Sequence, residues 1–238
     1  MQHADFVTAI RTQCDSLREA ALAAGPQAEV PTCPRWTVSR LVRHVARVHS
    51  WVVGSLADPT GQDVQRGRPP EDWDELLAWW DEQRTTMIER LADPDAPAWL
   101  PWQRFPQVAR SWARRQAHEA AIHRLDAEYA RGEVPSTLFD PAFAADGIDE
   151  LIAWMTPART DWSKVTVSGT VVLHAADAER VWSVHLEPGV EPVIEPGGLE
   201  GDAMIAGTAD AVYRRVWGRP SEAKVTGDTA LLEPLAAP

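Results

Sequence analysis

Residues 37–56, TVSRLVRHVARVHSWVVGSL, decide the class of fold. Apolar side chains recur every three or four residues in this stretch, at Leu41, Val45, Val48 and Val52. That spacing places them along one face of an α-helix. Thr37 can cap the first turn, because its hydroxyl can accept a hydrogen bond from a backbone N–H that has no partner inside the helix. The stretch therefore predicts an amphipathic helix that buries one face.

The rest of the first two thirds of the chain has the same character. Helical periodicity, bounded by glycine and proline, predicts four further helices at residues 3–24, 71–91, 106–131 and 141–155. Proline-rich segments separate them and predict loops, because proline cannot continue a helix through its interior. We therefore expect a helical bundle over residues 1–157.

The sequence changes character after residue 157. Residues 164–174, KVTVSGTVVLH, are rich in valine and threonine, which favours a β-strand. Shorter strands are predicted at residues 181–186, 203–206 and 224–226, with a helix at residues 209–217 between the last two. The sequence thus predicts an α+β fold made of a helical bundle at residues 1–157 and a small α+β domain at residues 158–238.

The composition limits which binding partners and which cellular compartment we expect for this protein. The 238 residues carry a net charge of -12, and the acidic excess is present on both sides of residue 158, so nucleic acid and anionic membranes are disfavoured as partners. Cys14 and Cys33 are too few for a disulfide framework, which favours a reducing compartment. We find no targeting segment or membrane span, so we expect a cytoplasmic protein.

The fourth predicted helix carries a pair of candidate metal ligands. Glu119 and His123 are four residues apart, so they differ by about 40° around the helix axis and project from one face. His118 lies five residues before His123, about 140° away, so these two histidines cannot chelate one ion from a regular helix. The string is therefore not the HExxH motif of zinc proteases.

A third ligand is available on the second helix. His44 lies on the apolar stripe of residues 37–56, whereas His49 points elsewhere. Two imidazoles and one carboxylate are the donors of a catalytic zinc site with one open position, and Ni²⁺, Co²⁺ or Fe²⁺ would accept the same donors. The alternative is a solvated Glu/His pair on a helix face and a hydrogen-bonded core histidine.

Four segments carry a resemblance to a known family. These are residues 31–46, PTCPRWTVSRLVRHVA; residues 119–126, EAAIHRLD; residues 216–219, VWGR; and residues 227–228, GD. In this order they resemble the mycothiol-dependent maleylpyruvate isomerase family. The resemblance implies a metal-binding four-helix bundle of the DinB type, followed by an α+β domain similar to sterol carrier proteins. One position departs from the family pattern, since Arg35 stands where the Cys-Pro-Gly-Trp string has glycine.

The resemblance also implies a site and a chemistry. The family's His, Glu and His metal triad falls on His44, Glu119 and His123, the residues selected above from helical geometry. It implies an enzyme that uses a divalent metal, zinc foremost, together with mycothiol and a small electrophilic substrate. Arg219, in the family-like Trp-Gly-Arg string, is predicted to hold a substrate carboxylate in catalysis. The alternative for Arg219 is an ion pair with a nearby acidic side chain of the protein.

Two reactions and one non-catalytic role follow as hypotheses. In the first, a metal-activated mycothiol thiolate adds to a substrate such as maleylpyruvate, the former double bond rotates, and elimination releases the trans isomer. With a different electrophile the thiol adduct persists, which is S-transfer. The alternative is a non-catalytic carrier that binds a small molecule or thiol and holds a structural metal.

Two further side chains, Asp126 and Cys33, receive weaker assignments. Asp126 follows His123 by three residues, and it either orients that imidazole or forms a surface pair with Arg124 or Arg131. Cys33 lies between prolines and is assigned a structural role, because the resembled family uses an external thiol.

Overall fold

The structure is a computed structural model of the chain, and it describes residues 1–132, 134–135 and 137–237. The chain divides into two compact units, Met1–Thr137 and Leu138–Pro238. The first unit is helical, and the second combines helices with a five-stranded sheet. The predicted α+β fold is confirmed. None of the described helices has both the length and the apolar character needed to cross a membrane.

The described part of the first unit contains four α-helices. They are α1 (His3–Ala24), α2 (Val38–Ala57), α3 (Trp73–Arg90) and α4 (Ala109–Tyr129), each within a few residues of a helix predicted from periodicity. Helix α1 packs mainly on α4, and α2 packs mainly on α3 and also contacts α4. The two helices that carry the candidate ligands, α2 and α4, are therefore neighbours.

Local sequence explains why α2 and α4 sit where they do. The Thr37 hydroxyl accepts a hydrogen bond from the backbone N–H of Arg40 at 3.4 Å and so caps α2. On α4, the fully buried side chains include several alanines, Ala113, Ala117, Ala120 and Ala121. Small side chains let helices approach closely, so these alanines bring the α4 backbone near its neighbours.

The second unit begins with helical segments and continues into the sheet. Helix α5 (Pro141–Glu150) passes through a π-helical turn (Leu151–Met155) into α6 (Thr156–Arg159). The strands and the last helix are β1 (Gly169–Ala175), β2 (Arg180–Glu187), β3 (Val190–Pro196), β4 (Ala203–Gly207), α7 (Ala209–Val216) and β5 (Lys224–Gly227). The strand order is β3-β2-β1-β4-β5, with β1 and β4 parallel and the other pairs antiparallel.

The division into units falls between Thr137 and Leu138 rather than after residue 157. Helix α5 packs on α7, so it belongs with the sheet and not with the four helices of the first unit. The indole N–H of Trp217 donates to the Gly147 carbonyl at 3.1 Å, which fastens the end of α7 to α5. A helix whose packing partner lies far along the chain cannot be assigned to its unit from local periodicity.

Strand β3 was not predicted from the sequence. It carries Pro192 and Pro196, and proline disfavours a strand because it has no backbone N–H to donate. Because β3 lies at the edge of the sheet, where its partner among the described strands is β2, these prolines remove no hydrogen bond from a central ladder. Strand β1 is also shorter than expected, since it begins at Gly169 and not at Lys164.

A buried histidine in the first unit links its stability to pH. His49 is fully buried, and its Nδ1 accepts a hydrogen bond from the Trp80 indole N–H at 3.1 Å. Burial, the largest influence, lowers the pKa of His49 from 6.5 to about 3. Between these two pH values the unfolded chain binds a proton that the folded chain does not. His49 therefore costs the fold stability as the pH falls through this window.

We expect this effect in denaturant unfolding. Between pH 6 and 4, His49 should contribute a loss of up to about 1.4 kcal/mol in the free energy of unfolding for each pH unit. The variant His49→Asn, which cannot titrate, should show a correspondingly shallower pH dependence than the wild type. Equal slopes for wild type and His49→Asn would contradict a buried neutral imidazole.

Candidate metal centre

The three predicted ligands meet between α2 and α4. Glu119 Oε1 lies 3.0 Å from His44 Nε2 and 3.3 Å from His123 Nε2. The ligand atoms of the three residues all lie within 4.8 Å of one another. His44 comes from α2, whereas Glu119 and His123 come from one face of α4, as their four-residue spacing predicts.

The donor set fits a divalent metal ion. Two donors that each bind one tetrahedral zinc ion at about 2.0–2.1 Å lie roughly 3.3 Å apart, close to the separations seen around Glu119 Oε1. Among the described residues this group contains three ligating side chains, which leaves a coordination position for a water or a thiol. Zn²⁺ suits this combination of nitrogen and oxygen donors, and Ni²⁺, Co²⁺ or Fe²⁺ would also fit.

Hydrogen bonds from outside the triad orient the candidate ligands Glu119 and His123. Arg115 Nη2 donates to Glu119 Oε2 at 2.6 Å, which leaves Oε1 directed at the two imidazoles. Asp126 Oδ2 lies 2.9 Å from His123 Nδ1 and fixes a proton there, so that Nε2 can act as the donor atom. Asp126 is fully buried, which favours the orienting role over a surface ion pair.

The electrostatics of the metal-free site favour a protonated imidazole. Burial acts to lower the pKa of His123, but the carboxylates of Glu119 and Asp126 outweigh it and raise the pKa to about 9. Burial acts to raise the pKa of Glu119, yet the charge of His123 and hydrogen bonds from His123 and His44 hold it well below 4.5. Without a metal, the site therefore holds a carboxylate beside an imidazolium near neutral pH.

Metal binding is expected to release a proton from this site. His123 must lose its Nε2 proton to coordinate an ion, and its pKa of about 9 means that this proton is bound at pH 7.5. Calorimetric titration with Zn²⁺ in buffers of different ionisation enthalpy should show about one proton released per ion from this residue. Below pH 9, the apparent affinity should fall about tenfold for each pH unit of acidification. An affinity independent of pH from 6 to 8 would contradict this assignment.

The loop before α2 forms one side of the site. The Trp36 ring lies 5.1 Å from the His44 ring and 6.2 Å from the His123 ring, centroid to centroid. Arg35 has a φ of 70°, in the left-handed region that glycine enters without steric cost. This conformation gives a physical reason for glycine in the family string, and Arg35 adopts it here despite its Cβ.

Two residues of the same loop reach Asp126. Thr32 Oγ1 donates to Asp126 Oδ1, and Cys33 Sγ donates to Oδ2 at 3.4 Å. Cys33 is half-buried, and with His123 and Asp126 it forms a second group of potential ligands that shares His123 with the first. The sequence assigned Cys33 a structural role, whereas the structure places its thiol beside the candidate site. Trp36 and Thr32 were missed by sequence reasoning, although Trp36 directly precedes the residue that caps α2.

The other sequence candidates lie elsewhere. His118 is fully buried, with its ring 6.2 Å from that of Phe6, and it is not part of the triad group. His49 packs in the core against Trp80. Arg219 lies in the second unit, just after α7, where its Nη1 donates to the Trp217 carbonyl at 2.6 Å. The catalytic role of Arg219 stays a prediction.

A cavity of about 500 Å³ adjoins the triad in the first unit. It is lined by Trp36, Arg40, Arg43, His44, Arg47, Arg66, Gly67, Arg68 and Pro69. Sequence reasoning did not single out these arginines. The available signal was the spacing of Arg40, Arg43 and Arg47, which helical geometry places on the same side of α2.

The fold and the triad define a class of protein, a helical bundle with a candidate metal centre followed by an α+β unit. Residues 7–128 match the family model of the mycothiol maleylpyruvate isomerase N-terminal domain. Residues 142–234 match the model of the C-terminal domain of the same isomerase. The chain therefore belongs to the mycothiol-dependent maleylpyruvate isomerase family.

Solved structures with a similar fold carry the same family name. The chain is similar to the crystal structure of the mycothiol-dependent maleylpyruvate isomerase, with a TM-score of 0.58 and 18% identity over 96% of this chain and 94% of that one. A histidine-to-alanine variant of that isomerase gives a TM-score of 0.59 with the same identity and coverage. At this identity the likeness shows a shared fold. Comparison with curated proteins gives no match.

Proposed function

We propose that this chain is a metal-dependent enzyme that uses mycothiol to isomerise a small unsaturated keto acid of the maleylpyruvate type. The observation that carries the proposal is the convergence of His44, Glu119 and His123 in a group of three ligating side chains. Structural zinc sites use four protein ligands, whereas catalytic sites use three and keep one position open. The three-ligand group therefore favours an enzyme over a carrier with a structural metal.

The residues of this chain prepare the site for a bound ion. Arg115 holds the Glu119 carboxylate, and Asp126 holds the Nδ1 proton of His123, so both ligands keep a defined orientation. The ring of Trp36 lies beside both histidine rings, with centroid separations of 5.1 Å from His44 and 6.2 Å from His123. A divalent ion at these ligands would supply the positive charge that favours thiolate over thiol near neutral pH.

The proposed reaction is balanced and needs no oxidant or reductant. The mycothiol thiolate adds to one carbon of the cis double bond, and the displaced electron pair moves to the conjugated carbonyl as an enolate. The former double bond is now single and rotates. Return of the electron pair expels the thiolate and leaves the trans isomer, so the thiol is regenerated. The position of Arg219 in the family-like string supports a role in holding a substrate carboxylate.

A product analysis distinguishes the proposed isomerase from an S-transferase and from a non-catalytic carrier. Metal-loaded protein is incubated with mycothiol and a panel of electrophiles that includes maleylpyruvate, while free thiol and product masses are followed. We expect conversion of maleylpyruvate to its trans isomer at a constant thiol concentration. Consumption of one thiol per product, with an adduct mass, would identify S-transfer. Binding of thiol or substrate without any turnover would identify a carrier.

A further inference from the structure

Five arginines line the cavity beside His44. Three of them lie on α2 and two lie in the loop between α2 and α3: Arg40, Arg43, Arg47, Arg66 and Arg68. The chain has a net charge of -12, yet no aspartate or glutamate lines this cavity. Among the described residues, none of the five forms an ion pair with a carboxylate.

The protein positions several of these guanidinium groups without cancelling their charge. Arg43 Nη1 donates to the carbonyls of Pro69 and Pro70, at 3.3 and 2.6 Å, and so holds the loop that carries Arg68. The guanidinium of Arg66 lies 3.8 Å from the centroid of the Trp51 ring. Carbonyl oxygens and aromatic faces fix a cation in place, but they carry no net negative charge.

Gathering these cations has an electrostatic cost. Burial, followed by the nearby charge of Arg47, lowers the pKa of Arg66. Like charges around one concave surface focus a positive potential that attracts anions. The Arg40 guanidinium, 5.5 Å from the centroid of the Trp36 ring, extends this positive surface toward the ring that contacts His44.

We propose that this cavity binds a small organic polyanion, with two or more carboxylate or phosphate groups, beside the metal triad. Its volume of about 500 Å³ suits a small molecule. The planar guanidinium group pairs with carboxylate or phosphate oxygens through two parallel hydrogen bonds, so several arginines select for several oxyanion groups.

The site also constrains the substrate, and this step rests on the proposed function. His44 belongs both to the candidate triad and to the cavity wall, so an anion in the cavity lies next to the place where the thiol would react. The electrophile would then carry the anionic groups that the arginines of this cavity recognise. Non-reactive polyanions should occupy the same cavity and compete with this substrate.

Calorimetry with non-reactive probes and no thiol tests the binding site itself. The probes are acetate, succinate, tricarballylate and pyrophosphate, titrated into the metal-loaded protein at low and at high salt. Tricarballylate or pyrophosphate should bind at least about tenfold more tightly than acetate, and this binding should weaken in high salt. A preference for pyrophosphate would identify phosphate groups as the natural anion, and a preference for tricarballylate would identify carboxylates. If acetate bound as tightly as tricarballylate and pyrophosphate, the proposal would be overturned.

A pair of double variants separates the cavity from the overall charge of the protein. Arg47 and Arg68 are exposed and donate no hydrogen bond to the described residues, so Arg47→Gln with Arg68→Gln should leave the fold intact. The control, Arg11→Gln with Arg215→Gln, removes equal charge at exposed positions outside the cavity.

The cavity variant should bind tricarballylate at least about tenfold more weakly than wild type, and the control should match wild type within about twofold. Equal weakening of both variants would show that only the net charge matters and would overturn the proposal. Because the titration needs neither thiol nor turnover, polyanion binding without isomerisation would refute the proposed reaction alone. Isomerisation without polyanion binding would refute the proposed polyanion site and leave the proposed reaction standing.

Discussion

Replacing His123 with alanine is expected to abolish both stoichiometric metal binding and mycothiol-dependent turnover. His123 supplies one of the three ligand atoms of the candidate centre, and its Nε2 lies 3.3 Å from Glu119 Oε1. Loss of a hydrogen-bond partner of a ligating histidine typically costs about 10- to 100-fold in metal affinity or activity, and loss of the ligand itself should exceed this. Metal content after dialysis and initial rates with saturating thiol provide the two measurements.

Two control variants make this result specific. His185→Ala removes an imidazole from β2, outside the triad, and should keep both metal and turnover. Cys33→Ala should also remain active, because no protein thiol is assigned a chemical step. If His123→Ala kept its metal and its turnover, the triad would be wrong. If Cys33→Ala lost turnover with metal still bound, the nucleophile would belong to this chain and not to mycothiol.

The second large effect is expected from Arg219→Ala. If Arg219 holds a substrate carboxylate, its truncation leaves that charge unpaired, which typically costs about 2–5 kcal/mol. This corresponds to a loss in kcat/KM of about 30-fold to several thousandfold for a substrate with a carboxylate near the reacting carbon. Steady-state kinetics with the keto acid and with its methyl ester provide the measurement.

The ester comparison distinguishes substrate binding from a structural role. Arg219 also donates to the Trp217 carbonyl, so its loss can disturb the end of α7. A structural defect would lower turnover of acid and ester alike, whereas loss of carboxylate binding should affect mainly the acid. Arg215→Ala, at an exposed position on the same helix, should leave both substrates unaffected. Equal losses for acid and ester in Arg219→Ala would contradict carboxylate binding.

Helices with strong periodicity could be predicted closely, and elements that depend on distant partners could not. Helix α1 occupies the predicted range His3–Ala24, because its apolar spacing and the Gly25-Pro26 stop are local signals. The sequence also predicts helix α5, but it does not predict that α5 belongs to the second unit. That assignment depends on the hydrogen bond between Trp217 and Gly147, which are 70 residues apart in the sequence. Strand β3 was hidden by prolines that only an edge strand tolerates.

In the candidate site, too, residues placed by local helix geometry could be predicted, whereas features that depend on distant contacts could not. Glu119 and His123 could be selected because four residues of helix place them on one face, and His44 because it lies on an apolar stripe. The role of Asp126 stayed open in the sequence, because its burial depends on the loop of Thr32 and Cys33. The arginine-lined cavity depends likewise on a loop that Arg43 holds through backbone carbonyls, a contact with no sequence signature.

The most direct test of the proposed function is the rate of maleylpyruvate isomerisation by metal-loaded protein with and without mycothiol. Our account predicts conversion to the trans isomer when metal and mycothiol are both present, with no net consumption of thiol. It also predicts that removal of either component stops the reaction. The metal ion would favour the thiolate form, and mycothiol would supply the thiolate that adds to the substrate. Isomerisation that continues without any thiol, or no conversion with both components present, would contradict it.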